Sequence, residues 1–131
     1  MNRPLDGNKL SKENLTFSLE HFIEGGEEGR KNFLLKGLKE NFDFEQDENG
    51  KSHMTDKFLD TTLTVVDLDT YSQFKVKTDS RLPLSEADFA KSVNDFYVVI
   101  DLKTTVVKIW KIDFSGAYVS IKATNVKIEP A

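Results

Sequence analysis

The stretch Val106–Ile128, VVKIWKIDFSGAYVSIKATNVKI, alternates apolar and polar residues almost strictly and carries one glycine near its centre. A period of two is the pattern of paired, half-buried β-strands. With Ser115-Gly116 as a two-residue loop, Phe114 faces Ala117, Ile112 faces Val119 and Trp110 faces Ile121. All six are apolar or small and share one side of the ladder. Upstream, Lys103–Thr105 reads as a three-residue loop that sets Leu102 opposite Val106, Val98 opposite Trp110 and Phe96 opposite Ile112. The two loops are placed independently, and both put Trp110 and Ile112 on the core side. Lys108 is then the exception on that side, at a sheet end where its ammonium reaches water.

The opposite face carries Tyr97, Val99, Ile109, Lys111, Asp113, Tyr118, Ser120 and Lys122, with Tyr97, Lys111 and Ser120 in one row. The preceding runs FLDTTLTVVDL and SQFKVKT, separated by the turn DTY, divide similarly. Phe74 and Val76 point inward, while Tyr71, Gln73, Lys75 and Lys77 point outward. Tyrosines and lysines on one sheet face suit single-stranded nucleic acid, because bases stack on aromatic planes and lysines follow phosphates without reading sequence. The candidate nucleic-acid-binding set is Tyr71, Lys75, Lys77, Tyr97, Lys111, Tyr118 and Lys122. The alternative is that the N-terminal segment covers Val99, Val107 and Ile109, leaving the tyrosines at a rim. A slip of one residue in either loop would exchange the two faces.

The segment LPLSEADFAKSV reads as a short helix, with Ser85 as N-cap and Asp88 three residues on. Residues 57–131 therefore run ββαβββ. Before them, residues 1–13 read as flexible and 14–56 as an acidic N-terminal segment: residues 1–56 hold 8 Lys+Arg against 12 Asp+Glu, and residues 57–131 hold 10 of each. NLTFSLEHFIEGG fits either a helix or a strand. EEGRKNFLLKGLKENFDF places Phe33, Leu34, Leu38 and Phe42 roughly on one helical face. Asn49-Gly50 is the commonest pair for a type I′ hairpin. The expectation is a single α+β domain: a small antiparallel β-sheet or OB-like barrel with a short helix in its second half and an acidic N-terminal segment.

Composition narrows the chemistry. There is no cysteine, and His21 and His53 are far apart, so neither thiol catalysis nor a His-rich metal site is expected. Asp67 and Asp69 could form a carboxylate pair, but a polar turn is the commoner meaning of such spacing. Nucleotide-loop and nucleophile-elbow motifs are missing. The expected protein is non-catalytic, without cofactor or metal. With no apolar run of membrane-spanning length and no apolar leader, the expected location is the cytoplasm. Exposed sheet edges would permit a homodimer.

The second half resembles OB-type single-stranded-DNA-binding proteins of mobile elements. The ending FSGAYVSIKATNVKIEPA is similar to that of filamentous-phage single-stranded-DNA-binding proteins. The order FKVKTDSRLPLSEADF, FYVVIDLKTTVVKIW, YVSIKATNVKI is similar to that of helicase-processivity accessory proteins from Gram-positive conjugative elements. The resemblance covers about residues 58–130. It implies an accessory protein that handles single-stranded DNA or RNA, with a helicase or another replication or transfer protein as a further partner. The OB order places three strands before the helix, whereas only two are counted from Lys57, unless 15–23 or 40–46 supplies another. A second reading is a phage- or plasmid-encoded inhibitor or adaptor that binds a host protein through the acidic first half, with Glu45, Asp47 and Glu48 foremost.

Overall fold

The computed structural model describes residues 15–131 except residue 115, with backbone alone at 110–113 and 117. The expectation of a flexible segment at 1–13 lies outside the described residues. The strands are β1 (Thr16–Ser18), β2 (Arg30–Gln46), β3 (Ser52–Val66), β4 (Gln73–Thr78), β5 (Phe96–Asp101), β6 (Val106–Asp113), β7 (Gly116–Lys122) and β8 (Val126–Pro130). One short helix, α1 (Glu86–Lys91), separates β4 from β5, and a single 3-10 turn, Leu19–His21, follows β1. The fold is thus mostly β with one short helix. No helix among the described residues is long and apolar enough to cross a membrane.

The ambiguous 15–23 segment divides between strand and 3-10 turn. The helix expected over the Phe33–Phe42 stretch is instead the long strand β2. The cause is a β-bulge between Leu35 and Gly37. Phe33 and Leu35 point inward two residues apart, Lys36 is the extra exposed residue, and the inward set resumes at Leu38. One inserted residue turns a period of two into spacings of three and four, which imitate a helix. The β2–β3 connection also departs from a two-residue I′ turn. It spans 47–51, where the Gly50 N–H donates to Asp47 O at 3.0 Å and Gly50 takes φ +79°.

The sheet order is β1-β6-β7-β4-β3-β2-β5-β8. Neighbouring strands are antiparallel, except that β4 runs parallel to β7, where Lys77 lies beside Lys122. The β5–β6 hairpin expected from the sequence does not form: β5 pairs with β2 and β8, while β6 pairs with β1 and β7. Flat, the five strand spacings between β6 and β5 would cover ~24 Å. The chain from Asp101 to Val106 reaches at most ~17 Å. The sheet therefore curls until its two ends meet along a seam.

The short turn is built for that crossing. Asp101 Oδ1 accepts from the N–H groups of Lys103 (2.9 Å) and Thr104 (3.3 Å), and Thr105 Oγ1 donates to Asp101 O at 2.6 Å. Leu102 is buried, and its N–H donates to Gly29 O at 2.7 Å. The Leu19 N–H donates to Thr105 O at 2.8 Å, tying the end of β1 to the same seam. The β7–β8 connection crosses it a second time. Inside the curl, Leu19, Phe33, Leu63, Val76, Val98, Ile100, Val107 and Ile121 belong to one buried cluster. The Phe33 ring stands edge-on to Phe74 at 5.4 Å.

The β6–β7 register corrects the expected one. Asp113 pairs with Gly116 and Ile112 with Ala117, so the turn lies one residue earlier than Ser115-Gly116. A bulge between Ile109 and Lys111 then shifts the ladder to Ile109–Val119, Lys108–Ser120 and Val107–Ile121. Val107 is consequently buried and Lys108 exposed, the reverse of the expectation from strict alternation.

Candidate nucleic-acid interface

The outward face is assembled from alternate residues of the central strands. Their inward partners fix it: Leu63, Val65 and Val76 are fully buried, so Thr62, Thr64, Lys75 and Lys77 must point out. Buried Ile121 on β7, and buried Ala123 just after it, leave Tyr118, Ser120 and Lys122 outward. Backbone pairing aligns Lys39, Thr62, Lys77 and Lys122 in one transverse row over β2, β3, β4 and β7. A second row holds Gly37, Thr64 and Lys75. The floor is small and polar. A Cβ on Gly37 would stand 3.2 Å from the Cβ and Oγ1 of Thr64, so glycine admits this close approach of β2 to β3.

Lys77 and Lys122 are directly paired and both exposed. Like charges opposite one another destabilise a sheet. Asp79 offsets part of that cost through an exposed ion pair with Lys122 at 3.0 Å. Next to this row, Val106, Lys108, Ser120, Lys122, Thr104 and Thr124 line a shallow groove of about 260 Å³. Thr124 also borders a second groove, about 290 Å³, with Arg30, Val99, Asp101, Asn125, Val126 and Lys127. The grooves share Thr124 on the β7–β8 connection, which crosses the seam.

Of the residues singled out in the sequence, Lys75, Lys77, Tyr118 and Lys122 share this outward face. Tyr97 faces outward too, half-buried between Leu34 and Glu129, but β5 lies three strands from β4. The expected Tyr97–Lys111–Ser120 row is therefore not formed. The Lys111 backbone pairs with Tyr118, and its side chain lies outside the described atoms. Tyr71 sits in the β3–β4 turn, 78% exposed, with a left-handed φ of +60°. Lys39, Lys108, Arg30 and Lys127 were missed. For Lys108 and Lys39 the missing signals were the two bulges; for Arg30 and Lys127 it was the seam, which only the tertiary fold creates.

Asp67 and Asp69 form no open carboxylate pair. The Lys31 ammonium binds both, at 3.1 Å from Asp67 Oδ1 and 2.9 Å from Asp69 Oδ2, and also donates to Glu24 O. The Asp67 side chain is 2% exposed and accepts the Asp69 N–H at 2.9 Å, shaping the turn that carries Tyr71. No group of three or more His, Asp or Glu side chains among the described residues is gathered to hold a metal ion. β1 extends the sheet edge beside β6 instead of lying over its outer face. Compared with protein-family models, curated proteins and solved structures, the chain matches none.

Proposed function

We propose that the protein binds single-stranded nucleic acid non-catalytically, across the outer face of β3, β4 and β7, as an accessory protein of a mobile element. The observation that carries this reading is the Lys39–Thr62–Lys77–Lys122 row, in which two lysines are held side by side at a cost to the sheet. A polyanion crossing the strands would reverse that cost. The small Thr/Gly floor lets a chain approach the backbone, and Tyr118 stands on the same face of β7 as a stacking surface. The strand order supports an OB-type arrangement as well. β2 supplies the third strand before the helix, and OB barrels take oligonucleotides on their second and third strands, here β3 and β4.

The test is titration of labelled oligo-dT at several salt concentrations. Affinity should fall with salt, with a log–log slope of about −0.7 per phosphate contacted. Lys77→Glu with Lys122→Glu should weaken binding at least tenfold and flatten that slope by roughly 1–2. Tyr118→Ala should lose about 1–3 kcal/mol, the cost of one stacked base. Salt-independent binding, or equal affinity in the double lysine variant, would overturn the reading.

A further inference from the structure

Among the described residues, the far ends of β2 and β3 have no third strand beside them. β5 pairs with β2 only up to Leu34, and β4 pairs with β3 only from Thr61. Residues 42–58 thus form a two-stranded arm, an arrangement that is marginal in water by itself. Its base is stapled: the Phe42 and Phe58 rings meet edge-on at 6.1 Å, and the Arg81 guanidinium lies over both, 5.7 and 5.2 Å from their centroids. Beyond the staple, Phe44 pairs across the arm with Met54, yet they remain 63% and 65% exposed. Phe42 and Met54 also line a groove of about 420 Å³ against α1, whose Ala87 and Ala90 form the opposite wall.

Charge selects the occupant. Between Glu40 and Asp60 the chain carries seven carboxylates and two lysines. Nucleic acid and anionic membrane surfaces are repelled by such an arm, whereas a cationic protein segment is attracted. A purely polar cation would leave Phe44 and Met54 in water. We infer that the arm and α1 form a docking site for a protein partner presenting a basic amphipathic segment, with one or two large apolar side chains flanked by Lys or Arg. Lys39 borders both this groove and the lysine row, but the arm's apolar pair and carboxylates belong to this site alone.

Met54 provides the readout, because the only other methionine is Met1. The probe is a synthetic Leu/Lys amphipathic peptide titrated into the full chain carrying ¹³C-labelled methionine methyl groups. The Met54 resonance should shift saturably. Phe44→Ser with Met54→Ser, followed by peptide fluorescence anisotropy, should weaken binding at least tenfold, as should Glu45→Lys with Glu48→Lys. Oligo-dT affinity should not weaken in either variant. These side chains are exposed, so both variants should keep the wild-type melting curve. Three results would overturn the inference: an unmoved Met54 signal, equal binding of a neutral Leu/Ser peptide, or a Met54 shift that follows protein concentration alone. The last would assign the arm to a second copy of this chain.

Discussion

Lys31 occupies an inward position of β2, two residues from Phe33, where lysine is rarely found. Its side chain is only 7% exposed. Burial pulls its pKa down, but its hydrogen bonds to Asp69 and Asp67 and their charges outweigh that and hold it above its ordinary value. Asp67 is the mirror case: burial pushes it up, while the Asp69 N–H and Lys31 together hold it below the usual carboxylate range. The depressed Asp67 contributes stability that is present above its unfolded pKa of ~3.9 and lost as pH falls through its lower folded value. The raised Lys31 contributes stability that is present below ~10.4 and lost as pH rises through its higher folded value. Lys31→Met should cost roughly 3–5 kcal/mol near neutral pH, because it strands a buried carboxylate. Urea denaturation across a pH series checks the sign. The deficit relative to wild type should shrink as pH falls toward 4, where protonation relieves Asp67. The aspartates were visible in the sequence as a close pair; their cation, 36 residues away, was not.

At the scale of elements, α1 has six residues and cannot be stable alone. Ser85 Oγ accepts the Asp88 N–H at 3.1 Å, as the cap pattern predicts. What the sequence hid is Glu40. Its carboxylate accepts the Glu86 N–H at 3.1 Å and the Arg81 Nε–H at 3.3 Å, while its own N–H donates to Glu86 Oε1 at 3.0 Å. One side chain of β2 therefore satisfies the first N–H of the helix and fixes the arginine of the arm's staple. Glu40→Ala should lower stability by about 1–2 kcal/mol. It should also accelerate hydrogen exchange at the Phe89 amide more than at Val65. Uniform acceleration would mean that Glu40 does not anchor α1. The β3–β4 pair and α1 were legible because their signals are local: alternation, a turn and a cap. β2 and the first half of β6 were not, since a bulge leaves composition untouched and changes only phase.

At the scale of the whole molecule, the sequence conveyed a strand-rich second half with one short helix, while the stretch that forms the long strand β2 read as helical. It did not convey the order of those strands. The parallel β4–β7 contact and the β2–β5 pairing join residues distant in the chain, and no periodicity encodes them. The shortness of the Asp101–Val106 connection suggested a hairpin, whereas the buried Leu102 makes it a bridge between sheet ends. Four of the seven candidate residues still fall on one face, because β4 and β7 lack internal bulges and keep their alternation. The bulge at Lys36 has a genetic corollary. Its side chain is exposed, so missense changes at this codon should be nearly silent; Lys36→Ala should alter stability by no more than about 0.5 kcal/mol. Loss of the codon should be tolerated as well. Without the extra residue, Leu35, Gly37 and Leu38 alternate regularly and keep their partners Val65, Thr64 and Leu63, so no face of β2 reverses. An in-frame deletion of Lys36 should keep a cooperative melt, as Lys36→Ala does, and a deletion variant that fails to fold would refute this. Codon 36 would thus belong to a class of sites indifferent to spelling and to omission alike.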